Sequence, residues 1–139
     1  MLGIWKGKYT YNLKKDVEFN NKEVEFIIEI NEFDGEKFSG TVQDNDEYFG
    51  TKGVGTIEGK VNGKMITFIK QMPIKTIVLN HKKRVEDTNK KHKPIYYSGI
   101  SDHKDTFSGT WKMKGGISFY NMQLYLAFPT NGFFEMSKT

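Results

Sequence analysis

The feature that most limits what this chain can fold into is strict alternation of apolar and polar residues. In Glu-Val-Glu-Phe-Ile-Ile-Glu-Ile, residues 23–30, Val24, Phe26, Ile28 and Ile30 fall on one face of an extended chain. Glu23, Glu25 and Glu29 fall on the other. A period of two is that of a β-strand with one side on a core and the other in water. The pattern recurs with Trp5, Gly7, Tyr9 and Tyr11 opposite Lys6, Lys8 and Thr10, and with Phe107, Gly109, Trp111 and Met113 opposite Ser108, Thr110, Lys112 and Lys114. Composition agrees. The chain has 50 Val, Ile, Thr, Tyr, Phe and Trp residues against one alanine and five leucines, which favours strands over helices.

Ten strands are read, near residues 3–13, 22–33, 36–44, 53–61, 64–72, 75–80, 94–101, 106–114, 117–128 and 132–137. Asp34-Gly35, Asn62-Gly63 and Asn131-Gly132 are read as two-residue hairpin turns, whose central positions need φ > 0. Short strands joined by tight turns make a meander, and a long meander must close or stack to hide its edges. Glycines inside strands (Gly7, Gly40, Gly55, Gly59, Gly99, Gly109) mark sharp coiling or a crowded interior. The expected fold is all-β: one domain over residues 1–139, a closed antiparallel up-and-down barrel of about eight to ten strands. The stretch 117–128 is read as one strand with both faces partly apolar. Its second face would cover a cavity mouth, a partner or a membrane, or lie under the 81–94 segment.

The net charge is +4. All of that excess lies between His81 and Pro94, in Lys82, Lys83, Arg84, Lys90, Lys91 and Lys93 set against Glu86 and Asp87. This segment, almost without apolar residues, is read as an exposed basic loop or long hairpin tip. Arg84 is the only arginine, and the run has no stacking aromatic, so nucleic acid is not an expected partner. The absence of cysteine excludes disulfides, thiolate zinc sites and a cysteine nucleophile. No apolar run reaches the roughly 20 residues of a membrane span. The opening residues lack the features of a signal peptide, so a cytoplasmic protein is expected.

Gly3-x-Trp5 on the first strand, followed by a glycine-punctuated meander, resembles the calycin superfamily: lipocalins, avidins, fatty-acid-binding proteins and their bacterial lipocalin-like relatives. Phe107-x-Gly109-x-Trp111 and Gly132-x-Phe134-x-Met136 are similar to its closing strands. The resemblance implies a barrel with a cavity for a small apolar or amphipathic ligand, in which Trp5 and Gly3 are structural and Trp5 closes the bottom. A T-D-Y motif is missing. Gly3-Ile4-Trp5-Lys6-Gly7 is also similar to the opening of haem-binding nitrobindin-like barrels. Tyr9 replaces their next glycine and no histidine lies near the C-terminus, so no haem or other cofactor is expected.

The candidate ligand-binding residues are Tyr9, Tyr11, Asp44, Lys70, Tyr97 and Trp111. Asp44 continues the face of Phe38, Gly40 and Val42, and Lys70 shares a face with Ile66, Phe68 and Met72. A few polar groups in an apolar cavity are what a small-molecule site requires. The plainer reading puts Asp44 and Lys70 at strand ends in solvent and makes the tyrosines filler. Gln43-Asp44-Asn45-Asp46-Glu47 is read as a polar turn in preference to a Ca²⁺ loop. His81, His92 and His103 are read as solvated, so no metal site is expected. No catalytic signature is present, and nothing positive supports an enzyme. The expected function is binding of a small hydrophobic or amphipathic ligand. The alternative is an interaction module that turns the basic 81–94 loop toward an acidic partner or anionic surface.

Overall fold

The computed structural model describes residues 1–12, 23–45, 52–73, 75–79, 83–87, 93–103, 105–120, 123–127 and 130–139. Its strands are β1 (Gly3–Tyr11), β2 (Glu23–Phe33), β3 (Lys37–Asp44), β4 (Val54–Asn62), β5 (Met65–Gln71), β6 (Lys75–Leu79), β7 (Lys83–Asp87), β8 (Ile95–His103), β9 (Thr106–Met113), β10 (Gly116–Tyr120), β11 (Gln123–Ala127) and β12 (Thr130–Lys138). Eight of them close into an antiparallel barrel in the order β1-β12-β9-β8-β5-β4-β3-β2. Each barrel strand pairs with the next barrel strand in the chain, and β12 returns to β1 through the register Trp5↔Lys138 to Tyr11↔Gly132. This is the closed up-and-down barrel that was expected, and closure leaves no strand edge in the wall.

Alternation runs through the wall as expected. In β2, Val24, Phe26, Ile28 and Ile30 are buried while Glu23, Glu25, Ile27 and Glu29 are exposed. A bulge between Ile30 and Glu32 shifts the phase, so Phe33 also packs against the core. Among the described residues, the interior is packed with the protein's own side chains. Phe68 stacks on Tyr97 with ring centroids 4.6 Å apart, and Phe134 stands edge-on to Tyr97 at 5.0 Å. A Cβ at Gly99 would lie 2.9 Å from Phe134 Cζ. The glycine is there because the ring occupies that space.

Trp5 is 1% exposed, contacts Phe107 and donates from Nε1 to the Met1 carbonyl at 2.8 Å. It lies in the β1 segment nearest the chain's start, at one end of the barrel. At that end the β2–β3, β4–β5 and β8–β9 connections are short. The other end sends out all the long connections: 12–22, 45–53, 72–94 and 114–129.

Four readings are corrected. Asn131 and Gly132 are not a turn; they lie inside β12 opposite Lys112 and Trp111. A Cβ at Gly132 would lie 2.6 Å from Trp111 Nε1, so the glycine makes room for the indole. The β4–β5 turn centres on Gly63-Lys64, with Asn62 paired to Met65 and Gly63 at φ +61°. At the β2–β3 turn only Gly35 has positive φ, and Asp34 accepts from the Glu36 and Lys37 amides. Third, residues 117–128 are not one strand: β10 and β11 form a hairpin in which Ile117 faces Leu126 and Phe119 faces Leu124. The reversal shifts the pleat by one residue, which produced two half-apolar faces when the stretch was read straight through. Fourth, the basic segment is not loop throughout. Lys83 to Asp87 form β7, paired with β6; Lys82, Lys90 and Lys91 lie outside the described residues.

Candidate functional site

Five of the six candidate residues are buried inside the barrel (Tyr9, Asp44, Lys70, Tyr97, Trp111), and Tyr11 is half-buried. They cluster toward the end that sends out the long connections. Tyr9 and Tyr11 lie late in β1, Asp44 ends β3, Lys70 is the penultimate residue of β5, Tyr97 is early in β8 and Trp111 late in β9. The reading of Asp44 and Lys70 as solvated strand ends is overturned: they are 5% and 1% exposed and are the two buried charged residues among those described.

Asp44 is the centre of the cluster. Lys70 Nζ donates to its Oδ1 at 2.5 Å and the Tyr9 hydroxyl donates to its Oδ2 at 3.0 Å. The three residues belong to β3, β5 and β1, none of which neighbours another in the wall. Their contact therefore crosses the interior. The ammonium also lies 4.7 Å from the Tyr9 ring centroid, 5.7 Å from Phe26 and 6.0 Å from Tyr97. Aromatic faces attract a cation, and more strongly when it is desolvated. An ammonium has three donor hydrogens. Asp44 is the one hydrogen-bond acceptor that Lys70 has among the described residues.

Burial lowers the Lys70 pKa, because the apolar interior disfavours the ammonium; the charge and hydrogen bond of Asp44 oppose that shift without cancelling it. Burial likewise pushes the Tyr9 and Tyr97 hydroxyls well above the usual phenol range, with nearby Asp44 adding to both. The phenols are thus held as neutral donors, and the amine is drawn toward its neutral, nucleophilic form.

An aromatic layer surrounds this cluster. Trp111 meets the Tyr9 and Tyr11 rings edge-on at 5.9 and 5.2 Å, and its indole N–H donates to the Thr10 carbonyl at 3.0 Å. The sequence pointed to these residues by strand face but held no sign that Asp44 and Lys70 bond each other. It also missed Phe26 as part of the box around the ammonium.

Other candidates are not brought in. Asp44 is turned inward onto Lys70; Asp46 and Glu47 lie outside the described residues. His103 is exposed at the end of β8, while His81 and His92 lie outside the described residues. No group of metal-ligating side chains occurs among the described residues. Among the described residues the lumen is occupied by side chains, and two concavities involve the wall. One of about 990 Å³ runs across outward-facing Glu58, Lys60, Thr67, Ile69, Tyr96 and Lys112. A second of about 570 Å³ lies over Gly7, between Lys6, Lys8, Ile27 and Ser137.

No protein-family model matches this chain, and comparisons with curated proteins and with solved structures also find no match.

Proposed function

We propose that the barrel binds a small amphipathic molecule at the end that sends out its long connections, with the molecule's polar end on the Lys70–Asp44–Tyr9 cluster. One observation carries this reading: an ion pair built across the interior of an otherwise apolar barrel, with donor capacity left on the ammonium. Replacing a buried ion pair by packed apolar residues is often neutral or stabilising, so stability alone is a weak reason for its presence. Fixing one polar group of a ligand is a use that repays it. Because aromatic side chains fill the barrel below, the ligand is short and enters over Tyr11 and Trp111. About 200 Å² of its apolar surface removed from water supplies roughly 5 kcal/mol, enough to support binding once one polar contact orients it.

The test uses 1-anilinonaphthalene-8-sulfonate as fluorescent probe and decanoate and decanal as competitors. Saturable probe binding, displaced by either competitor and lost in the Lys70→Met/Asp44→Leu variant, supports the reading. Binding that is non-saturable or unchanged in that variant overturns it. A second reading uses the same end of the barrel as an interaction surface. The basic 72–94 connection leaves from there, as does the β10–β11 hairpin, whose sequence carries Ile117, Phe119, Leu124 and Leu126. Binding to phosphatidylserine vesicles that falls steeply with salt is its signature.

A further inference from the structure

We propose that Lys70 is a reactive amine that captures aldehydes as a covalent imine, with Asp44 as proton acceptor and counter-ion. This rests on the ligand-binding reading above and names the class of ligand. Three features of the geometry carry it. The amine stands in an aromatic box, with ring centroids at 4.7, 5.7 and 6.0 Å. The rings exclude water from the amine, which the condensation to an imine needs, while their faces hold the cationic nitrogen of both the ammonium and the iminium. A carboxylate lies 2.5 Å from Nζ, in position to take its proton. A phenol held in its neutral form, Tyr9, bonds the second carboxylate oxygen at 3.0 Å, so the proton stays within a connected set of donors and acceptors.

The step balances. The Lys70 ammonium passes one proton to Asp44, and the neutral amine adds to the carbonyl carbon to form a carbinolamine. Asp44 returns its proton to the carbinolamine hydroxyl, which leaves as water while the nitrogen lone pair forms the C=N bond. The reactants are an ammonium and an aldehyde; the products are an iminium and one water. Net charge is unchanged, and the iminium inherits the ion pair with Asp44. No oxidant or reductant is involved. An aldehyde adds no charge to the pair.

The experiment treats the folded protein with benzaldehyde and cyanoborohydride, which reduces an imine to a stable secondary amine. The product is mapped by peptide mass spectrometry. The expected result is benzyl label on Lys70 ahead of the exposed Lys6, Lys60 and Lys112, complete loss of that label in the Lys70→Met/Asp44→Leu variant, and slower labelling in Asp44→Asn. The double variant is used because Lys70→Met alone leaves a buried carboxylate without its cation. Label confined to surface lysines, or Lys70 labelled no faster than they are, overturns the inference. If the naphthalene probe still binds and decanal and decanoate still displace it, only the imine chemistry fails. If probe binding is absent as well, the binding reading fails with it.

Discussion

Substitution of Lys70 by methionine is the sharpest perturbation of this barrel. Methionine keeps most of the apolar stem and removes the charge. The Asp44 carboxylate is then left inside the barrel with the Tyr9 hydroxyl but without its cation. Breaking a buried pair from one side typically costs about 3–5 kcal/mol. Domains are stable by only about 5–15 kcal/mol, so this is a large share of the total. Asp44→Leu leaves an ammonium among aromatic rings, and that amine escapes part of the penalty by releasing its proton, since burial already lowers its pKa. Its cost is expected to be the smaller of the two. In Lys70→Met/Asp44→Leu neither charge remains, but the Tyr9 hydroxyl loses its acceptor, a deficit of about 1–3 kcal/mol. Adding Tyr9→Phe removes that orphaned hydroxyl, and the triple variant should be within about 1 kcal/mol of the parent or more stable than it. The assay is guanidinium denaturation followed by tryptophan fluorescence, which reports on Trp111 packed 5.9 Å from the Tyr9 ring. Independent sites add to within about 0.3–0.5 kcal/mol, whereas the cycle here should miss additivity by several kcal/mol. Single variants each costing under about 1 kcal/mol, with an additive double, are the behaviour of an exposed pair and refute the argument.

Three further outcomes follow from the same geometry. The pH dependence has a defined sign. Between the lowered pKa of Lys70 and its ordinary value of 10.5, the unfolded chain holds a proton that the folded one has released, so stability rises with pH through that window. Above 10.0 the unfolded tyrosines ionise while Tyr9 and Tyr97 stay neutral, so stability then falls. Equilibrium denaturation across this range should show the rise in the parent and not in Lys70→Met/Asp44→Leu. Gly99→Ala places a methyl 2.9 Å from Phe134 Cζ and 2.6 Å from the Ser108 carbonyl, and should lower stability by about 1–3 kcal/mol, seen as a reduced denaturation midpoint. Trp111→Phe removes the donor to the Thr10 carbonyl; a loss of about 1–3 kcal/mol is expected, and an unchanged midpoint would show that bond to be dispensable.

The barrel was legible because its wall obeys one rule. Each of the eight barrel strands has a core face that repeats every second residue, and a single slip would carry all of it to the wrong side. What the rule does not carry is where the chain reverses inside an apolar stretch. Residues 116–127 keep a high apolar content on both sides of the β10–β11 turn, so no break in composition marks the hairpin. Gly132 shows the opposite error: next to Asn131 it has the local look of a turn, but what requires a glycine is an indole reaching across from β9. Local chemistry cannot distinguish a glycine needed for its φ from one needed for its missing Cβ.

The site divides along the same line. Faces are local, so the alternation of β1, β3, β5, β8 and β9 was enough to send Tyr9, Asp44, Lys70, Tyr97 and Trp111 inward. Pairing is global. Asp44 lies two strands from Tyr9 on one side and two strands from Lys70 on the other. Adjacent strands are about 4.8 Å apart, so side chains two strands apart on a flat sheet would be separated by roughly 10 Å at their roots and would diverge. They meet because the sheet is rolled with these residues on its concave side. The Asp44 contacts are therefore a consequence of closure and also a check on it. An open sheet would leave both charges in water, where neither would need the other, and the aromatic box around Lys70 would not assemble. The binding reading and the barrel consequently draw on the same geometry, and the double-mutant cycle on Lys70 and Asp44 measures how strongly that geometry couples the pair.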